Sequence, residues 1–193
     1  DAVMKDVDEN LLKSMNLFSV KTQCDNKDVF ITRPDLGRRL SEEGVATLKE
    51  KCAKNPDVQI YAADGLSSTA INANLDKIMP GLMKGLESKG LTVGTPFFMK
   101  YGRVAAEDQV AEIVGAKVVC VLIGERPGLA TSESMSAYIV YNAHVGIPES
   151  KRTVVSNIHK DGLSAVEAGA YIVEVIEKIL AAKASGGDLV KGG

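Results

Sequence analysis

Lys117-Val118-Val119-Cys120-Val121-Leu122-Ile123-Gly124-Glu125-Arg126-Pro127-Gly128 passes from an unbroken apolar, β-branched run straight into a polar glycine turn. A half-wet strand alternates apolar and polar residues. A run without alternation suits a strand buried on both faces, as in the middle of a mostly parallel sheet. In open α/β sheets, ligands lie in the crevice beyond the carboxyl ends of such strands. Glu125 and Arg126 emerge at that edge between two glycines, whose missing side chains let backbone approach a ligand. The same residues also describe a solvated turn with an internal ion pair, and the stretch alone leaves both readings open.

Outward from this strand, helices and strands alternate. Met4, Val7, Leu11 and Met15 recur at helical spacing among Asp and Lys and predict an amphipathic N-terminal helix over residues 2–16. Lys27-Asp28-Val29-Phe30-Ile31-Thr32 reads as a short strand, closed at Arg33 because the residue before a proline is pushed toward extended conformations. Leu36, Leu40, Leu48 and Cys52 then describe helix, with Ser41 ahead of Glu42 and Glu43 as its N-cap. Val58 to Asp64 is a second strand. It runs into Gly65-Leu66-Ser67-Ser68, a polar turn at a helix start, where free N–H groups favour anions or polar ligand atoms.

The following helix carries Ile71, Leu75, Ile78, Leu82 and Leu86 on one side, with a kink or restart expected at Pro80 and a stop at Gly90. Leu91 to Met99 reads as strand. A short helix through Val110, Ile113 and Val114 follows, its dipole complemented by Glu107 and Asp108. Beyond the central strand, Ala137–Tyr141 and Thr153–Ile158 are strand-like. Ser164-Ala165-Val166-Glu167 is a capping box opening a last helix with Val166, Ala170, Val173, Ile176 and Leu180. Gly186 and Gly187 are expected to end it in a loose tail. The pattern is α/β: an open, mostly parallel sheet with helices on both faces, preceded by an N-terminal helical arm.

At 193 residues the chain fits one sizeable domain plus an arm, and its 45% hydrophobic content supports a substantial core. A formal charge of -2 argues against a phosphate-backbone binder. The apolar runs are strand-length, so no membrane span is expected. No secretory signal opens the chain, and its start at Asp1 without methionine suggests a trimmed leader or arm. Cys24, Cys52 and Cys120 are too scattered for a disulfide framework or zinc site, which fits a reducing, cytosolic setting.

Self-contained catalysis finds little support. The two histidines, His144 and His159, offer no triad beside a Gly-x-Ser-x-Gly elbow, and neither a dinucleotide fingerprint nor a P-loop is present. Asn157-Ile158-His159-Lys160-Asp161-Gly162 has the outline of the Asp-x-His-x-x-Gly motif that supplies a lower cobalt ligand to cobalamin. Asn stands where the orienting carboxylate would be, which favours a plain loop histidine. What remains are polar glycine turns around Asp64-Gly65, Gly102-Arg103-Val104, Glu125-Arg126 and Ser156-Asn157. These suit a large, amide-decorated ligand or a partner protein. Arg38 and Arg39 read as exposed, with anion binding as the alternative.

Arg33-Pro34-Asp35-Leu36-Gly37-Arg38-Arg39-Leu40, Asp64-Gly65-Leu66-Ser67, Gly94-Thr95-Pro96-Phe97-Phe98, Gly124-Glu125-Arg126-Pro127-Gly128-Leu129, Ser132-Glu133-Ser134 and Ser156-Asn157-Ile158-His159 together resemble the small (light) subunits of ethanolamine ammonia-lyases, from about residue 22 to the C-terminus. The resemblance implies residues 1–21 as a helical arm and 22–193 as a Rossmann-like cobalamin-binding domain. It implies a hetero-oligomeric, adenosylcobalamin-dependent lyase turning ethanolamine into acetaldehyde and ammonia. The large subunit, a TIM barrel, would hold the substrate and the radical chemistry, and the small subunit would complete the cobalamin site at the interface.

The same resemblance places cobalamin contacts at Val104 and Glu125. A third falls at Val154, where relatives carry cysteine. It implies that the cofactor's own base stays on cobalt, so that His159 is no metal ligand, and a location in the cytoplasm within a bacterial microcompartment. It assigns this chain no catalytic residue, no metal ligand, no nucleic acid and no membrane. A stand-alone small-molecule enzyme and a non-catalytic adaptor remain the alternatives.

Overall fold

The computed structural model describes residues 6–125 and 131–192; Arg126, Pro127 and Gly128 fall outside them. In chain order the elements are α1 (Glu9–Ser14), β1 (Phe18–Lys21), α2 (Lys27–Thr32), α3 (Pro34–Gly37), α4 (Glu42–Lys51), β2 (Val58–Ala63), α5 (Ser68–Ser88), β3 (Phe97–Lys100), α6 (Ala106–Val114), β4 (Val118–Gly124), β5 (Met135–Tyr141), β6 (Arg152–Ile158), α7 (Ala165–Ala182) and α8 (Gly187–Gly192). They form an α/β fold around one six-stranded sheet of order β1-β3-β2-β4-β5-β6. The first four strands are parallel, and β5 and β6 return antiparallel. This is the open, mostly parallel Rossmann-like arrangement expected.

All seven residues of β4 are buried, and its side chains alternate between two cores. Val118, Cys120 and Leu122 join a cluster with residues of α5 and α7, while Val119, Val121 and Ile123 join one with residues of α4 and α6. The predicted α5 stripe is buried throughout, each side chain contributing roughly 1.5–3 kcal/mol. Phe18, Phe97 and Tyr61 stack in succession, with centroid separations of 5.6 and 4.9 Å.

Several expectations are corrected. Lys27–Thr32 is helix, not strand. Asn26 caps it by accepting from Val29 N, and only Lys27 and Phe30 face inward, leaving Ile31 45% exposed. The strand that the sequence hides is β1, which pairs with β3 across 79 residues. Leu40 sits between helices, bridging to Thr22, and α4 begins only after Ser41, which accepts from Gly44 N as predicted. The strand expected over 91–99 shrinks to Phe97–Lys100. Helix α5 runs through Pro80 without a restart, because Pro80 lies on its exposed side, where water can bond the freed carbonyl.

Val166 points outward at 79% exposure. The tail past Gly186 forms α8. At the other end, helix is confined to Glu9–Ser14 among the described residues, and Met4 lies outside them. Val7, Leu12 and Leu17 belong to the α5/α7 core, and β1, within residues 1–21, is an edge strand of the same sheet.

Candidate functional site

The chain reverses direction of winding between β2 and β4, so their carboxyl ends define the crevice where such sheets receive ligands. Here the crevice is filled by the chain itself. Leu66 N donates to Gly124 O at 3.0 Å, and a Cβ on Gly65 (φ +54°) would meet that same oxygen at 2.5 Å. A Cβ on Gly124 would collide with the Ser67 carbonyl oxygen. The glycines therefore serve the approach of one loop to another, which corrects their expected service to a ligand.

Asp64 is also committed internally. It is 2% exposed, and its Oδ1 accepts from Gly65 N at 3.0 Å and Tyr101 N at 2.9 Å. Its Oδ2 faces Lys27 Nζ at 3.6 Å. Burial pushes the Asp64 carboxyl up, against the pull of Lys27 and the N–H groups. Lys27 Nζ lies over the rings of Phe30 and Tyr101, and Arg103 also lies over the Phe30 ring and donates to the Phe30 carbonyl at 2.6 Å. Gly102-Arg103, read as ligand-facing, is a structural joint at this point. Arg38 and Arg39 are exposed, and Arg33 pairs with Asp35.

A second buried cluster fastens β6 to α6. The Arg152 guanidinium, 1% exposed, donates to Glu107 Oε1 at 3.2 Å, to Asp108 Oδ2 at 3.0 Å and through Nε to Glu149 Oε2 at 3.0 Å. Glu107 and Asp108 thus do more than complement a helix dipole. One guanidinium faces three carboxylates, and burial holds the Glu107 carboxyl well above its ordinary value despite Arg152. The cluster joins the helix that starts two residues after Val104 to the strand that carries Val154.

Over β5 and β6 the α4/α6 cover thins, leaving an open stretch of sheet. Val154 is 46% exposed there, Ser156 is exposed, and Tyr138 is half-buried. Tyr138 stands opposite Val154 in the β5–β6 register, and its hydroxyl donates to Glu125 Oε1 at 3.1 Å. Glu125 is half-buried just past β4, its N–H bonded to Ser134 O at 3.0 Å. Ser136 Oγ donates to Ser156 Oγ at 3.1 Å. Val104, half-buried in the turn before α6, packs against the same core cluster as Tyr138.

Of the three residues singled out in the sequence, Tyr138 links Glu125 and Val154, and Val104 approaches through the shared core. Arg126 lies outside the described residues. Tyr138 itself went unread as a site residue. Its only signal was a tyrosine in the strand-like run Ala137–Tyr141.

The arrangement offers one carboxylate, three hydroxyls (Tyr138, Ser136 and Ser156) and an exposed aliphatic side chain, but among the described residues no nucleophile–base pair. His159 is held inside its own loop. Asp161 N can only donate, at 3.3 Å to Nδ1, so the ring proton lies on Nε2 and is given to Asn157 Oδ1 at 2.8 Å. Both ring nitrogens are engaged, so coordinating a metal would break one of those bonds. Among the described residues, no group of three or more His, Cys, Asp and Glu could hold a metal ion, and no helix is long and apolar enough to cross a membrane. All three cysteines are buried thiols.

A family model described as "Ethanolamine ammonia-lyase light chain (EutC)" matches residues 1–190, past the residue-22 limit of the motif resemblance. The chain is 64% identical over 189 residues to the ethanolamine ammonia-lyase small subunit of Fusobacterium nucleatum, 60% to that of Clostridium tetani and 58% to that of Clostridium perfringens. In each case the match covers 98% of this chain and 64% of the relative.

Proposed function

The chain belongs to the ethanolamine ammonia-lyase light-chain family, and from that premise we propose that it is the cofactor-completing subunit of an adenosylcobalamin-dependent ammonia-lyase. In this reading a large subunit holds ethanolamine and carries its conversion to acetaldehyde and ammonia. The present chain supplies one wall of the cobalamin site at the subunit interface, in a hetro-oligomer packaged in a bacterial microcompartment. The observation that carries it is the open face of β5 and β6, with Glu125 at its rim and Val154 exposed on it.

The residues fit the organic periphery of a corrinoid rather than its metal. A corrin carries many neutral amide arms and apolar edges. Glu125 offers a carboxylate that accepts amide N–H groups in charge-assisted bonds, which are stronger than neutral ones. Val154 and Val104 cover apolar edge and exclude water. Valine at 154 keeps a packing contact and gives up any hydrogen bond a thiol would make there. His159, with both ring nitrogens bonded within its own loop, would not serve as a metal ligand. When bound, the cofactor supplies the radical chemistry, and this chain supplies placement.

Glu125→Ala tests the reading. In a complex with the large subunit, cyanocobalamin affinity is expected to fall about tenfold or more while subunit association persists. Unchanged affinity would defeat the assignment. The isolated chain should release no acetaldehyde from ethanolamine, and electron paramagnetic resonance of cob(II)alamin in the complex should show no splitting altered by nitrogen-15 labelling of the protein.

A further inference from the structure

We infer that Tyr138 is a positioning residue of the cofactor site: its hydroxyl fixes the Glu125 carboxylate so that the second oxygen, Oε2, is presented to an amide of the corrinoid. The inference rests on the cofactor reading above and goes beyond it in naming a residue and its task. Glu125 directly follows Gly124, the last residue of β4. A glutamate side chain has several rotamers, and freezing them on binding weakens affinity unless a partner does so beforehand. Tyr138 is that partner. It projects from β5, whose register sets it beside Val121 of β4 and opposite Val154 of β6, so its ring is carried by three paired strands.

A donor suits this place better than a cation would. The O–H occupies Oε1 at 3.1 Å and leaves the negative charge in place, so Oε2 remains a strong acceptor. Burial and the Glu125 carboxylate push the Tyr138 hydroxyl up to about 12, so it stays a donor across the physiological range. The ring also backs Val154 on the neighbouring strand. One side chain therefore sets both a polar and an apolar contact of the site.

The test uses the full chain in complex with the large subunit, with cyanocobalamin as the equilibrium probe and adenosylcobalamin for turnover. Tyr138→Phe keeps the ring and removes the hydroxyl. We expect cyanocobalamin affinity to fall about five- to tenfold, the size of one ordinary hydrogen bond, because the lost bond acts through Glu125 and not on the cofactor directly. The adenosylcobalamin concentration for half-maximal rate should rise in parallel, with kcat at saturating cofactor within about twofold and an unchanged thermal midpoint. In a Glu125→Ala background, the same substitution should add less than about twofold.

Full additivity of the two losses would mean that Tyr138 acts through packing and would overturn the inference. So would unchanged affinity in Tyr138→Phe alongside weakened binding in Glu125→Ala, and in that case the cofactor reading survives. Unchanged affinity in Glu125→Ala removes the cofactor reading itself. Should Tyr138→Phe lower the thermal midpoint, Tyr138→Leu serves as a packing control. Equal affinities in the two variants normalised to stability would support the hydroxyl's role, and a further loss in Leu that accounts for the whole effect would refute it.

Discussion

The carboxyl ends of β2 and β4 and the open face of β5 and β6 lie on the same sheet, yet they treat polar groups in opposite ways. In the crevice, Asp64 spends its oxygens on Gly65, Tyr101 and Lys27, and two glycines let backbone meet backbone. On the open face, Val154 and Ser156 are turned to solvent, and the Glu125 carboxylate has one oxygen bonded by Tyr138. The crevice is architecture, and the open face is where the proposed reading puts function. In that reading the binding surface lies to the side of the topological switch point, where helical cover ends, and a half-buried acid beside an uncovered strand is a better guide to it than a buried one.

Substitutions should separate the regions, with stability lost in the crevice and affinity lost on the open face. Asp64→Ala strands the Lys27 ammonium in a buried place and should cost about 3–5 kcal/mol in urea unfolding. Lys27→Met combined with Asp64→Asn should recover part of that loss, and no recovery would show that the N–H bonds of Asp64 outweigh its charge. Gly124→Ala forces a Cβ against the Ser67 carbonyl and should cost about 3 kcal/mol, since backbone cannot yield as a side chain does. A stable Gly124→Ala protein would mean that the crevice has room for a ligand after all, and the contrast would collapse.

Glu107→Gln probes the buried cluster that braces the open face. The folded Glu107 carboxyl is raised by burial, so its contribution to stability is full below its unfolded value near 4.5 and is lost as pH rises through the raised folded value. The glutamine variant should stay within about 1 kcal/mol of the parent at low pH, where the carboxyl is neutral, and lack the decline as pH rises. Urea midpoints across pH distinguish the two curves. The smallest change in stability belongs to Val154→Asp, within about 0.5 kcal/mol for a surface position, but cyanocobalamin binding in the complex should fall steeply. Intact binding there would remove Val154 from the site.

The parts of the fold that were legible are those set by local pattern. The unbroken run of β4, the α5 stripe and the caps at Ser41 and Ser164 are one-dimensional signals, and each is where the sequence places it. Lys27–Thr32 misled because Val29, Phe30 and Ile31 favour strands, whereas Asn26 caps a helix turn that buries only Lys27 and Phe30. The edge strand β1 has four residues and takes its meaning from β3, far along the chain. The clusters had the same obstacle: Arg152 lies 44 and 45 residues from its buried carboxylates, and Tyr138 lies 13 from Glu125.

By itself the sequence determined an α/β chain with a doubly buried central strand and a family kinship that names Val104, Glu125 and Val154. Composition and periodicity act through neighbours along the chain, so they suffice for that much. Only the tertiary structure decided that the crevice glycines serve the chain's own backbone, that His159 has both nitrogens engaged, and that Tyr138 stands between Glu125 and Val154. Those facts depend on which strands lie side by side and where helices stop covering them. Packing settles that across the whole molecule, and no window of residues contains it.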